Sequence, residues 1–403
     1  MCPPYYPEWQ AGEGYSSARY RTEQIDGATI HRCPLYIPKT VTTAKRLLHL
    51  FSFAISSGVR LFSLCKQKYD VVFLVQPTFF CAPLTLLFCK LTGTKAVMHI
   101  QDYELDAMLG LGLANNNFFT RSLKKVERWY LKRFDMVSSI SYSMLELARH
   151  KGVGEEKLLF FPNWTNTDFV TPDTPGQIFR KNHGFSEQDK LVLYAGNMGH
   201  KQGLEIILES ARTFTQQTDV KFVMVGAGAY VETLKSLAQQ YQLTNVFFLP
   251  LQEWEDVPAM LATADIHLVV QKRGAADVVL PSKLTNILAA GGDAIITAEP
   301  ETELGKLCEK FNGIYNLIEP ESSHALTAAI NEELAVERTG HNQVARLYAE
   351  KHLQQDTVLS RFITELRLKL GINQPIKTDT KKSKLDPLAL LEDDKDEVLN
   401  KLP

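Results

Sequence analysis

The stretch KLVLYAGNMGHKQGLEIILESARTFTQQTDVKFVMVGAGAY, residues 190–230, decides the fold. LVLYAG is a short, nearly unbroken apolar run, so both faces of that strand must be buried, as in parallel sheets covered by helices. A glycine-bearing loop, Gly196-Asn197-Met198-Gly199-His200-Lys201-Gln202-Gly203, leads into a run with helical spacing over 203–215. A second apolar strand, KFVMVG, ends in another glycine turn, VGAGAY (225–230), and a second helical run follows. Strand, glycine turn, helix, strand is the unit of an α/β domain.

The same alternation extends in both directions. Towards the C-terminus come VFFLP, a helix at 255–264, DIHLVV, a helix at 284–290, AIITA and a helix at 302–310. Towards the N-terminus, VVFLV (71–75), AVMHI (96–100), MVSSI (136–140) and LLFFP (158–162) read as buried strands, with helical runs at 121–133 and 143–150. Residues 163–189 hold two prolines, two glycines and few apolar side chains, which marks a linker. The expected organisation is two Rossmann-like domains, 1–165 and 166–350. A helix at 351–372 packs back on the first domain, and the charged, aromatic-poor tail 373–403 is disordered. The start is unusual, because Pro3-Pro4-Tyr5-Tyr6-Pro7 replaces an opening strand and ATIHRCPLYI (28–37) is the first strand candidate. The N-terminal domain is therefore expected to lack its first β-α-β segment, either because the start codon lies upstream or because the chain is a truncated product.

Bulk properties agree with a chain of this kind. Its 403 residues suit two or three domains, and 45% hydrophobic with 22% charged residues is globular composition. A net charge of -2 gives no global attraction to nucleic acid. The six cysteines form no CxxC pair and several sit in apolar runs, as free thiols of a reducing compartment do. MCPPYYPEWQ is no signal peptide, and the apolar segment 71–89 is broken by Gln76, Pro77 and Pro83. A cytoplasmic protein is expected.

Four places in the second half gather groups suited to an anionic ligand. In the 196–203 loop, Gly196 and Gly199 let backbone approach a ligand, a helix N-terminus follows, and Lys201 can reach a diphosphate; a tight turn with a solvated lysine is the alternative. Gly226 and Gly228 repeat the pattern, although close packing of helix on strand explains a lone GxG equally well. Lys272 and Arg273 directly follow DIHLVV, at the carboxyl edge where open α/β sheets bind ligands, and Pro281-Ser282-Lys283 starts the next helix. Three basic groups there suit a nucleoside diphosphate, whose charge grows as it departs. In Glu299-Pro300-Glu301-Thr302-Glu303-Leu304, the Thr302 to Leu304 amides open a helix and can cap a phosphate, while Glu303 can hold a sugar or ribose hydroxyl or simply favour the helix dipole.

In the first half, His99-Ile100-Gln101-Asp102 places polar groups at the carboxyl end of a strand. His99 and Asp102 can orient or deprotonate an acceptor hydroxyl, a buried structural histidine being the alternative. The run from Lys124 to Arg133 is basic and aromatic at helical spacing, as is Lys45-Arg46 before LLHLFSF; each suits an anionic membrane surface or a solvated helix face. There is no P-loop, no Ser-His-Asp set, no metal-spaced Cys/His cluster and no Asp-x-Asp at a strand end, so no metal is expected.

HIQDYELDAMLGLGL (99–113), FFPNW (160–164), GNMGHKQGLE (196–205), VVQKRGAADVVLPSKLTNILAAGG (269–292) and TELGKLCE (302–309) together resemble the WcaI/WbuB branch of glycosyltransferase family 4, over about residues 3 to 370. The resemblance implies a GT-B fold and a retaining, metal-independent transfer without cofactor. For the WcaI type, which acts in colanic acid synthesis, it implies GDP-L-fucose as donor and a lipid-diphosphate-linked saccharide as acceptor at the inner membrane face. WbuB-type relatives are associated instead with an N-acetylated fucosamine donor. Lys201 matches the family's donor-phosphate lysine, and 302–304 its phosphate-capping turn. Two positions depart from the wider family: its paired glutamates correspond to Val278 and Asn286, the latter at the ribose, and its phosphate arginine to Asn197. Lys272, Arg273 or Lys283 must then supply that charge. A non-catalytic nucleotide-sugar-binding scaffold is the alternative function.

Overall fold

The computed structural model describes residues 1–6, 9–40, 42–76, 79–103, 118–200, 202–273, 281–336 and 340–372. The disorder expected of 373–403 lies outside the described residues. The chain opens with an antiparallel hairpin, β1 (Arg21–Ile25) and β2 (Ala28–Arg32). Asp26 and Gly27 turn it with φ of 50° and 79°, the left-handed pair a two-residue hairpin needs. This corrects the single strand expected over 28–37: the Asp-Gly turn folds 28–32 back on 21–25 instead of into the main sheet.

The first domain continues through α1 (Thr43–Ser63), β3 (Val71–Gln76), α2 (Ala82–Thr92), β4 (Lys95–Ile100), α3 (Phe118–Leu131), β5 (Met136–Ser139), α4 (Tyr142–His150) and β6 (Leu158–Phe160). Its strands form a parallel sheet in the order β3-β4-β5-β6. Ala96, Met98 and Ile100 point to one face, where Phe88, Leu131, Phe134 and Met144 cover them.

The second domain begins with α5 (Gln177–His183), inside the segment that reads as linker. Then follow β7 (Lys190–Ala195), α6 (Glu205–Thr213), β8 (Val220–Val225), α7 (Val231–Gln240), β9 (Val246–Leu249), α8 (Val257–Ala262), β10 (Ile266–Val269), α9 (Lys283–Ala289), β11 (Ala294–Thr297), α10 (Glu303–Lys310), β12 (Asn316–Ile318), α11 (Ser323–Ala335) and α12 (Gln343–Tyr348). The six parallel strands run β12-β11-β10-β7-β8-β9. The chain therefore leaves β7 towards β8 on one side and later returns to pair β10 on the other. That reversal opens a crevice beyond the carboxyl ends of β7 and β10, where ligands of open α/β sheets lie. Apolar side chains fill both faces of this sheet, Leu193 and Ile296 on one and Phe222 and Leu268 on the other.

The two domains are joined twice. Thr165 ends the first crossing and pairs with the returning chain: its amide donates to Leu353 O at 2.8 Å and its carbonyl accepts from the Gln355 amide at 3.0 Å. Helix α13 (Gln355–Leu370) then lies on the first sheet, burying Val358, Phe362 and Leu366 against Val97, Met136, Leu159 and Phe161. Each such side chain stabilises the packing by roughly 1.5–3 kcal/mol before entropy. Beside the crossing, Arg346 donates to the carbonyls of Thr167, Val170 and Ala289 and pairs with Glu350. Among the described residues, no helix is long and apolar enough to cross a membrane.

Candidate active site

The loop after β7 is pinned before it meets any ligand. Met198 is buried, its amide donates to Ala227 O at 2.8 Å, and its carbonyl accepts from the Tyr230 amide at 3.0 Å. Glycines allow this contact. A Cβ on Gly226 would lie 2.1 Å from the Gly196 carbonyl oxygen, and one on Gly228 would lie 2.2 Å from that of Met198. Gly226 and Gly228, expected to touch the donor, are thus accounted for by loop-on-loop packing. The Gly199 amide is taken by Gln202 Oε1 at 3.1 Å, and the Asn197 side chain is exposed. Lys201 lies outside the described residues, as does Val278.

Two basic side chains from the loop after β10 border this same glycine loop. Lys272 passes beside Gly203, its Cγ 3.0 Å from where a Cβ would stand. Lys283, the first residue of α9, lies against Gly196, with its Cδ and Nζ 3.5 Å from where a Cβ would stand there. Its ammonium lies 3.7 Å from the Tyr194 ring centroid, a cation held by a π face at the end of β7. Although the residue as a whole is only partly buried, burial of the ammonium lowers its pKa to about 7. A dianionic diphosphate beside it would restore the charge. Arg273 does not converge with them: its exposed guanidinium pairs with Glu299 at 3.4 Å, and its amide donates to Glu321.

The 299–304 turn departs from expectation at the Thr302 amide and the Glu303 carboxylate. Thr302 uses its amide for the Glu299 carbonyl at 3.1 Å and its hydroxyl to cap the Gly305 amide, so that amide is spent on the turn. Leu304 is buried, and its carbonyl accepts from the Tyr315 hydroxyl at 2.7 Å. The Glu303 carboxylate, expected at the donor, instead accepts from the Tyr142 and Ser143 amides of α4 in the other domain, at 3.2 and 3.0 Å.

His99 is a correction as well. It is 2% exposed, stacks on Phe73 at 5.5 Å and packs against Phe161. The Gln101 side-chain amide donates to its Nε2 at 2.7 Å, which leaves the proton on Nδ1 to donate to Ser138 Oγ at 2.9 Å. Burial lowers its pKa to about 4. A neutral, fully engaged ring in an aromatic cluster is a poor base for an acceptor. Gln101, not His99, faces the cleft, with the half-buried Asp102 next to it in sequence.

A cavity of about 430 Å³ lies there between the domains. Gln101, Asn163, Trp164 and Asn166 line it from one side, and Trp254, Lys283 and Asn286 from the other. Asn286 Oδ1 accepts from the Thr165 hydroxyl at 2.6 Å, so one end of its amide is tied to the domain crossing. Aromatic faces with side-chain amides are suited to a sugar or nucleoside. Trp164, Trp254 and Gln101 were not legible as site residues. The signals were the polar run after AVMHI for Gln101, FFPNW beyond a strand end for Trp164 and a tryptophan in the PLQEW loop for Trp254, and none has a spacing that singles out these side chains.

A model of the glycosyl transferases group 1 family matches residues 176–351, and a glycosyl transferase 4-like domain model matches residues 2–164. The chain is 49% identical over 370 residues to WcaI of Escherichia coli (strain K12), named as a colanic acid biosynthesis glycosyl transferase, covering 91% of this chain and 90% of the relative. Among solved structures, sucrose-phosphate synthase from Thermosynechococcus elongatus superposes with a TM-score of 0.69 at 15% identity, over 92% of this chain and 88% of that one. HepE of Anabaena, in complex with UDP-glucose, gives a TM-score of 0.63 at 16% identity, over 82% and 86%. At these identities the structural likeness concerns the two-domain GT-B architecture.

Proposed function

The chain belongs to the group 1 glycosyltransferases with a family-4-like first domain, and from that premise we propose which transfer it performs. The donor is a nucleoside-diphosphate sugar, GDP-L-fucose favoured over other nucleotides, and the sugar moved is a fucose-like deoxyhexose. The acceptor is a lipid-diphosphate-linked saccharide of exopolysaccharide synthesis, colanic acid being the product named for the E. coli relative. Transfer proceeds with retention and without a metal.

One observation carries the reading: Lys272 and Lys283 border a single glycine loop at the β7/β10 crevice. A diphosphate lying on that loop would have the Lys272 and Lys283 side chains along it. Lys201, by its place in the same loop, supplies a third. Lys283 takes over the charge that Asn197 lacks. As the glycosidic bond breaks, negative charge accumulates on the departing diphosphate, and positive groups fixed in a crevice stabilise it more than they stabilise the bound donor. The cavity between Trp164, Trp254 and Asn286 holds the sugar or nucleoside end, with Gln101 directed at the sugar being transferred or at its acceptor.

Peripheral contact with the inner membrane face fits α3, where Val126 and Trp129 are exposed, Arg121, Lys125 and Arg128 lie alongside, and the Arg133 guanidinium covers the Trp129 ring at 3.5 Å. The test is release of GDP from GDP-fucose with a lipid-diphosphate-linked glucose acceptor. Turnover in the wild type and its loss in Lys201→Ala and Lys283→Met is expected. Binding of GDP-fucose without turnover would favour the scaffold, and turnover with UDP- or dTDP-sugars alone would reassign the donor.

A further inference from the structure

We propose that Glu303 is a clasp between the two domains, a positioning residue that couples their closure to occupation of the diphosphate site. Helix α4 begins at Tyr142, and its first amides have no partner within the helix. Ser141 Oγ accepts from the Met144 amide. The two preceding amides, of Tyr142 and Ser143, donate to a carboxylate about 160 residues away, on the first residue of α10. Stacking of the Tyr142 ring on Phe160, 4.2 Å apart and 14° from parallel, fixes the receiving end. On the giving end, Gly305 lets the 299–302 turn wrap closely, since a Cβ there would stand 2.2 Å from the Pro300 carbonyl oxygen. The clasp is thus aimed from a rigid turn to a rigid helix start.

Two helix N-termini, each carrying partial positive charge, face one another here with one carboxylate between them. Without that carboxylate the like-signed ends oppose closure. With it, each charge-assisted bond favours the closed arrangement. The coupling to the donor rests on the proposed diphosphate site, because α10 opens beyond the carboxyl end of β11, the strand next to β10, whose following loop carries Lys272. In an open molecule the Glu303 carboxylate would stand beside an incoming diphosphate and repel it. In the closed molecule its charge is met by the α4 amides, so the diphosphate meets less repulsion. Closure and donor binding thereby favour each other, as linkage between two sites requires. A groove of about 1270 Å³, lined by both α4 and α10, lies over this contact and would widen as the clasp opens.

Hydrogen exchange at single-amide resolution on the full chain tests the clasp without any ligand. The Tyr142 and Ser143 amides should exchange about tenfold faster in Glu303→Ala than in wild type. Glu303→Gln, which keeps one acceptor oxygen and the shape, should fall between them and guards against misfolding of the alanine variant. Adding GDP, or UDP in a parallel series, should slow these two amides further in wild type and not in Glu303→Ala. In turnover, Glu303→Gln should lower kcat without raising the donor KM. Equal exchange rates in all three proteins would overturn the clasp. Unchanged amide protection with severalfold weaker GDP binding would overturn it too, making Glu303 a donor ligand. If neither nucleotide binds wild type but Glu303→Ala still loses protection, the clasp stands and the diphosphate reading falls.

Discussion

Replacing Lys283 with methionine probes the charge on which the donor site depends. Its ammonium rests on the Tyr194 ring beside Gly196, with its pKa lowered from 10.5 to about 7. In the unfolded chain the group binds its proton up to its ordinary value, whereas in the folded chain it holds it only below about 7. The unfolded state therefore binds more protons between these limits, so stability should rise with pH across that window and carry its full penalty below it. At about 1.4 kcal/mol per unit, the penalty at low pH is on the order of a few kcal/mol. A diphosphate beside Nζ supplies the missing countercharge and returns the pKa towards its ordinary value. GDP binding should then take up about half a proton at pH 7 and roughly 0.9 at pH 8. Calorimetric titration in buffers of different ionisation enthalpy reads this uptake directly. Lys283→Met should abolish the uptake, weaken GDP about 10- to 100-fold through the lost charge-assisted contact, and flatten the pH dependence of stability above pH 7. Wild-type binding with no net proton uptake at pH 8, or uptake unchanged in Lys283→Met, would refute the assignment of Lys283 to the diphosphate.

Other outcomes follow from the same geometry. Gly226→Ala should destabilise the second domain by about 1–3 kcal/mol in urea unfolding, because its Cβ meets the Gly196 carbonyl at 2.1 Å and φ is 140°. His99→Gln should leave the shape of the activity–pH profile between pH 5.5 and 8 unchanged, since the ring is already neutral there; a lost limb in that range would restore a proton-transfer role to His99. His99 and His267 are both buried with pKa values lowered to about 4, so the unfolded chain binds more protons between their ordinary value near 6.5 and 4. Stability measured by denaturant should fall as pH drops through that interval, by up to several kcal/mol, and by less in His99→Gln. Arg346→Ala should cost about 2–4 kcal/mol by leaving the carbonyls of Thr167, Val170 and Ala289 without their shared donor, measured as a lower unfolding midpoint.

Local pattern alone determined that this chain builds two α/β halves. An unbroken apolar run such as LVLYAG or AVMHI can be buried only between two layers of helices, whatever its neighbours are. The glycines after β7 and the lysines after β10 were legible as candidates because their place relative to a strand end is itself a local fact. Tertiary structure decided what those candidates touch. Gly226 and Gly228 serve loop packing, His99 is sealed beneath Phe73 and Phe161, and Glu303 reaches the other domain, because each partner comes from a distant segment. The cavity wall of Trp164, Trp254 and Gln101 likewise exists only once the chain has crossed at Thr165 and returned at Gln355. A strand's burial follows from its own composition, but the protonation and pairing of a polar side chain follow from charges and dipoles that the fold brings within a few ångströms.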